Sequence, residues 1–113
     1  MTNLNQAIIV ILAGIAVAVA DGMIKKTAIG TSFTDALENP LMIGVVALYI
    51  VQILFFTYVF VNGWQLGVVG VLQMVAYSAF VILTGVFIFK ESYTTTQYIG
   101  FVLAVGGAVL INL

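Results

Sequence analysis

The chain alternates long apolar runs with short polar punctuation. One run, Leu66 to Phe89, contains no Asp, Glu, Lys or Arg. About 20 apolar residues of helix cross the hydrocarbon core of a bilayer, and this run is long enough to predict a membrane span. Gln73, Tyr77 and Thr84 interrupt it at spacings of four and seven, which stacks them on one helical face. Polar groups at mid-span are costly unless they find partners. The pattern therefore centres the chain on this face, with the other apolar runs as walls around it.

Those runs predict three more spans. The first covers about 6–26. No Lys or Arg precedes it, so it lacks the positive flank of a secretory signal and reads as a retained helix. Ala13, Gly14, Ala16, Ala18 and Ala20 make it small-faced, which lets helices approach closely in lipid. Residues 27–39 form the one substantial loop. Asn39-Pro40 then supplies an N-cap and a first helical position for a span over 40–61. Within it Tyr49, Gln52 and Phe56 share a face at spacings of three and four. Asn62-Gly63 is a turn signal, and Trp64 beside it suits the membrane interface. The Leu66–Phe89 run sits in a span over 65–89. After a short polar connection, the last span covers 96–113 and has no polar side chain between Tyr98 and Asn112.

The expectation is an all-α integral membrane protein of four transmembrane helices with short loops, forming a single domain over residues 1–113. Composition agrees: 64% of residues are hydrophobic and 6% charged, against roughly 25% charged in soluble domains. A net charge of −1 with no basic patch gives no reason to expect nucleic acid as a partner. The absence of Cys and His removes disulfides, thiolate chemistry and the commonest metal ligands. With no Ser near a base at membrane depth either, no enzyme, metal or cofactor is expected.

Asp21 is the one acid inside an apolar stretch. It reads either as a helix-end acid paired with Lys25 at i+4 or as a group that meets substrate or a proton. Tyr49, Gln52, Gln73 and Tyr77 read either as interhelical glue or as pocket lining. Glu91 reads as a solvated acid or a cap. Gly100 and Gly107, seven residues apart, read as a close-packing face, within one subunit or between two.

The run from Lys90-Glu91 through Ile99-Gly100-Phe101-Val102-Leu103-Ala104-Val105-Gly106-Gly107 to Ile111-Asn112-Leu113 resembles the end of drug/metabolite transporter superfamily proteins. The four-helix members of that group are the small multidrug resistance proteins, and Gly100, Leu103 and Gly107 match their last-helix motif. In motif terms the likeness is confined to this final run; in helix number and loop length it covers nearly the whole chain. The resemblance implies that the last helix forms a dimer contact and that the first three line a substrate path. Where that family carries an embedded Glu in its first helix, this chain has Val17 and Ala18, with Asp21 about one turn further on. Near Gln73 it lacks the family's third-helix Trp. The Asn-Pro start of the second span and Glu91 are closer to a branch of small four-helix subunits that resemble flippases for lipid-linked aminosugars, or half of a larger ten-helix metabolite transporter.

Three function classes follow. The first is a small transporter moving a polar or amphipathic solute by alternating access, as a homodimer or a dimer with a paralogue. The second is a flippase subunit for a lipid-linked aminosugar, and the third a non-transporting scaffold. Mid-span polar residues on two helices favour the first two. Lipid is a partner in every case. The expected location is a bacterial or archaeal plasma membrane. Lys25, Lys26 and Lys90 fall on one side and no Lys or Arg on the other, which places both termini outside.

Overall fold

The computed structural model describes residues 2–112, with side chains over 4–111. The described residues form five helices: α1 Thr2–Ala28, α2 Phe33–Glu38, α3 Leu41–Val61, α4 Leu66–Phe87 and α5 Thr95–Asn112. Three of them, α1, α3 and α4, are long and apolar enough to cross a membrane. The fourth expected span corresponds to α5, a shorter apolar helix. Leu113, at its expected end, lies outside the described residues.

Helix ends follow local chemistry more than hydropathy. α1 starts ahead of the apolar run, because Asn5 and Gln6 are compatible with helix though not with lipid. It runs past Lys26, where the Ile29 N–H still reaches the Lys25 carbonyl at 3.1 Å, and Thr27 turns its hydroxyl back onto the Ile24 carbonyl at 2.7 Å. Gly30, at φ 72, then takes the left-handed position beyond the helix end. Asn39 acts as expected: its side chain accepts from the Leu41 N–H at 3.0 Å, which starts α3 behind Pro40. α5 starts on a reciprocal capping box. Thr94 Oγ1 accepts from the Gln97 N–H at 3.2 Å, and Gln97 Oε1 accepts from the Thr94 N–H at 2.8 Å.

Two expectations need correcting. Residues 27–39 are not all loop: α2 lies within them, capped by Ser32 Oγ accepting from the Asp35 N–H at 3.2 Å. It packs on α1 through buried Ala36. The organising helix is also not the 66–89 run. α1 is the hub, packed along both α3 and α4, while α3 and α4 scarcely meet at the backbone level. The small residues are the reason. Ala13, Gly14, Val17, Ala18 and Ala20 are buried, so two neighbours can close on α1 from both sides. α4 instead turns Met74, Leu83 and Phe87 outward.

Gly14 marks the tightest approach to α4. A Cβ there would lie 2.9 Å from the Gln73 carbonyl oxygen and 3.3 Å from the Tyr77 nitrogen. Near the 62–64 turn, Val10, Val59 and Val69 from the three helices form a dry cluster, with Phe56 and Trp64 against it. α5 packs chiefly on α4. It runs back along the molecule, so that Ile111 near its end shares an open groove with Leu4 and Trp64.

Candidate functional site

α3 and α4 form an antiparallel pair about the turn at Asn62-Gly63. Tyr49 and Tyr77 are equidistant in sequence from Gly63, one before it and one after, and Gln52 and Gln73 are very nearly so. Equal distances from an antiparallel turn bring residues to equal heights. The four polar side chains therefore meet as two rungs between α3 and α4.

The lower rung is direct: Gln73 Nε2 donates to Gln52 Oε1 at 2.5 Å. The upper rung is bridged by α1. Tyr49 donates its hydroxyl to one oxygen of the Asp21 carboxylate, and Tyr77 donates to the other at 2.5 Å. Asp21 is seven residues beyond Gly14, two helical turns along the face that approaches α4. All five sequence-expected residues, Asp21, Tyr49, Gln52, Gln73 and Tyr77, thus fall in one cluster, partly buried among the three long helices.

Magnitudes show why this arrangement holds. A carboxylate in a transmembrane segment costs about 2.5–3.5 kcal/mol on insertion scales. A hydrogen bond to a charged group contributes about 1.5–3 kcal/mol. Two tyrosine donors can therefore offset the cost without a counter-ion. An ionised carboxylate has about four acceptor positions, and the two hydroxyls use two of them. The others remain for a proton, an ammonium group or another donor.

The i+4 pairing of Asp21 with Lys25 is not made. Lys25 reaches instead across to Glu91, far away in the chain, and forms an ion pair with Oε2. Glu91 is thus neither a simply solvated acid nor a helix cap through its side chain. The chain geometry after α4 explains the choice. Lys90 adopts φ 57, and the Glu91 N–H returns to the Gly85 carbonyl at 2.8 Å. The turn folds Glu91 back over α4 and towards α1. Tyr93 donates to the other Glu91 oxygen at 3.0 Å. Lys25 Nζ also lies 5.0 Å from the centre of the Phe89 ring, within cation–π range.

Between the Asp21 cluster and this ion pair lies a cavity of about 160 Å³, lined by Ala18, Asp21, Gly22, Lys25, Thr84 and Glu91 among others. An adjoining space of about 240 Å³ shares Gly22, Thr84 and Phe89 with it and extends to Lys26. Thr84, the last residue of the α4 polar stripe, thus faces the same space as Asp21. Tyr93 and the link from Lys25 to Glu91 were not expected from the sequence, which offered Lys25 only as a partner of Asp21. The one local signal was the succession of Lys90, Glu91 and Tyr93 in an otherwise uncharged region. Among the described residues, no group of three or more acids, Cys or His could hold a metal ion.

The last-helix motif residues stand apart. Gly100, Gly106 and Gly107 face open space, with no atom within 4 Å of a Cβ built on them. Leu103 is exposed beside them. Nothing within the described chain packs on that face.

No family model, curated protein or solved structure matches this chain.

Proposed function

We propose that the chain is a subunit of a small membrane transporter of the drug/metabolite transporter type, with Asp21 as the group that meets the solute or its coupling proton. The observation that carries this is the Asp21 carboxylate held by hydroxyls from two other helices and left with unused acceptor positions beside a cavity. An acid that only closes a helix end would need no such cradle. The residues offered to a solute are Asp21, Tyr49 and Tyr77, with Gln52 and Gln73 one rung away. The cavity suits a small cationic or amine-bearing group.

A single chain does not provide a complete path. Ligand pockets run to about 300–1,000 Å³, and this one is about 160 Å³. The proposal therefore includes a second subunit, the same chain or a paralogue, meeting the exposed face of Gly100, Leu103 and Gly107. α5 would then be the fourth membrane span. Its 18 residues reach about 27 Å as helix, just short of the hydrocarbon thickness. The lysine-bearing end faces the cytoplasm and both termini face outward.

One observation favours a second reading. Because α3 and α4 scarcely approach each other, the rungs between them are open sideways to lipid. A flippase passing a polar headgroup while its tail stays in the bilayer would use that opening.

The test is uptake into liposomes by the purified chain, screened with small organic cations, aminosugars and polyprenyl-linked lipids. Asp21→Asn keeps the size of the side chain and one acceptor oxygen, so it should fold and insert normally yet lose transport. Full transport by the Asn variant would sink the assignment of Asp21. Selective loss of lipid movement would select the flippase, and no movement of any class by the parent chain would leave a scaffold.

A further inference from the structure

The proposed site has a feature that its binding chemistry does not require: one end is covered by an ion pair between segments far apart in the chain. Lys25 closes α1 at that end, and Glu91 belongs to the turn after α4. Both line the cavity that holds Asp21. Lys25 is also placed near the Phe89 ring, and Tyr93 holds the second oxygen of Glu91. Gly85 lies directly beneath, where any side chain would collide with the Glu91 carboxylate and the Tyr93 hydroxyl.

We infer that the Lys25–Glu91 pair, fastened by Tyr93, is a removable lid over the Asp21 cavity at the lysine-bearing end. Three observations make it a lid more than a fixed strut. The pair is partly exposed, with side chains 47% and 34% accessible, and exposed pairs of this kind hold only weakly. The segment carrying Glu91 is short and attached through Lys90 in the left-handed region at φ 57, a conformation disfavoured for a residue with a side chain. Apart from the Glu91 N–H bond to the Gly85 carbonyl, which anchors the turn, the covering contacts are side-chain tips: an ammonium, a carboxylate, a phenol and a ring face. A lid of this kind can part without unpacking α1 from α4, whose backbones meet further along at Gly14.

The lid rests on reading the Asp21 cavity as the site, but its test does not require transport. The chain has no native Cys, so Thr84→Cys places a single thiol on the cavity wall. Its modification by the neutral reagent N-ethylmaleimide is timed with the purified protein in lipid nanodiscs. A neutral reagent keeps the charge changes from altering its attraction to the cavity. In that background Lys25→Gln, which removes both the pair and the cation–π contact, should raise the rate about fivefold to tenfold, and Glu91→Gln, which removes the pair alone, up to about fivefold. Tyr93→Phe should raise it by a smaller factor. A control thiol at Ala76, which packs beneath Gly14 on the same pair of helices, should be unaffected by all three substitutions. Unchanged rates at position 84 would overturn the lid. So would an equal rise at position 76, because the pair would then be holding the helices together. If Asp21→Asn transports fully while the labelling behaves as described, the lid stands and the assignment of Asp21 falls.

Discussion

At the residue scale, the two glutamines and the two tyrosines occupy equivalent places but have different roles. The tyrosines donate to a charge, whereas Gln73 donates to a neutral partner at 2.5 Å. Interhelical hydrogen bonds between neutral groups in membranes average about 0.6 kcal/mol. Gln73→Leu should therefore cost less than about 1 kcal/mol. The double replacement of Gln52 and Gln73 by Leu should cost no more than the single one, since it strands neither partner. Unfolding in mixed micelles measures both. A double variant as destabilised as the sum of the two singles would show that the two amides act independently and that the rung is not a coupled pair. Loss of solute binding with stability retained would show that it lines the path.

At the scale of the elements, α1 organises the molecule because its side chains are small where two neighbours press on it. The prediction separates two glycines that look alike in sequence. At Gly14 an added Cβ would meet backbone, 2.9 Å from the Gln73 carbonyl oxygen. At Gly44 it would meet only the tip of Met23, which can swing away. Gly→Ala in a helix gains about 1 kcal/mol of propensity, and overpacking costs about 1–3 kcal/mol. Gly44→Ala should thus be neutral or stabilising. Gly14→Ala should be destabilising, and Gly14→Val should be worse and should disturb the Tyr77–Asp21 contact. Thermal unfolding in detergent ranks the three. Equal stability of the two alanine variants would contradict α1 as the close-packed hub.

At the scale of the whole molecule, the chain is a plate and not a globule. Its extents are 45 × 35 × 18 Å and its radius of gyration is 15.6 Å, against ~13 Å for a compact domain of this length. A thickness of 18 Å is that of two helix layers, given axes about 8–10 Å apart. Such a plate cannot enclose a solute, so its broad apolar faces are the ones to be covered by lipid or another subunit. Gly100→Leu and Gly107→Leu add bulk where the chain itself has nothing within 4 Å. Both variants should fold as well as the parent. Both should weaken self-association, read by energy transfer between labelled copies in liposomes. Undiminished association would move the subunit contact off α5.

What the sequence determined by itself was the set of apolar runs and the height of each polar side chain. A period of about 3.6 residues places Gln73 with Tyr77 and Tyr49 with Gln52 on single faces, and a tight turn at Asn62-Gly63 matches them in height across α3 and α4. Local signals for α2 and for the start of α5 were also present in Ser32-x-x-Asp35 and Thr94-x-x-Gln97, although the first lies in a stretch that hydropathy alone assigns to loop and the second straddles the start of the last apolar run. Only the tertiary structure decided which partner each charge takes. Along one helix, Asp21 and Lys25 are neighbours, and i+4 spacing favours their pairing. In three dimensions, two hydroxyls reach Asp21 from α3 and α4, and the turn at Lys90 brings Glu91 to Lys25. Periodicity specifies the face a residue occupies, but the neighbour opposite that face depends on how closely helices approach and how the chain turns between them. Those are set by small residues and backbone geometry far away in sequence.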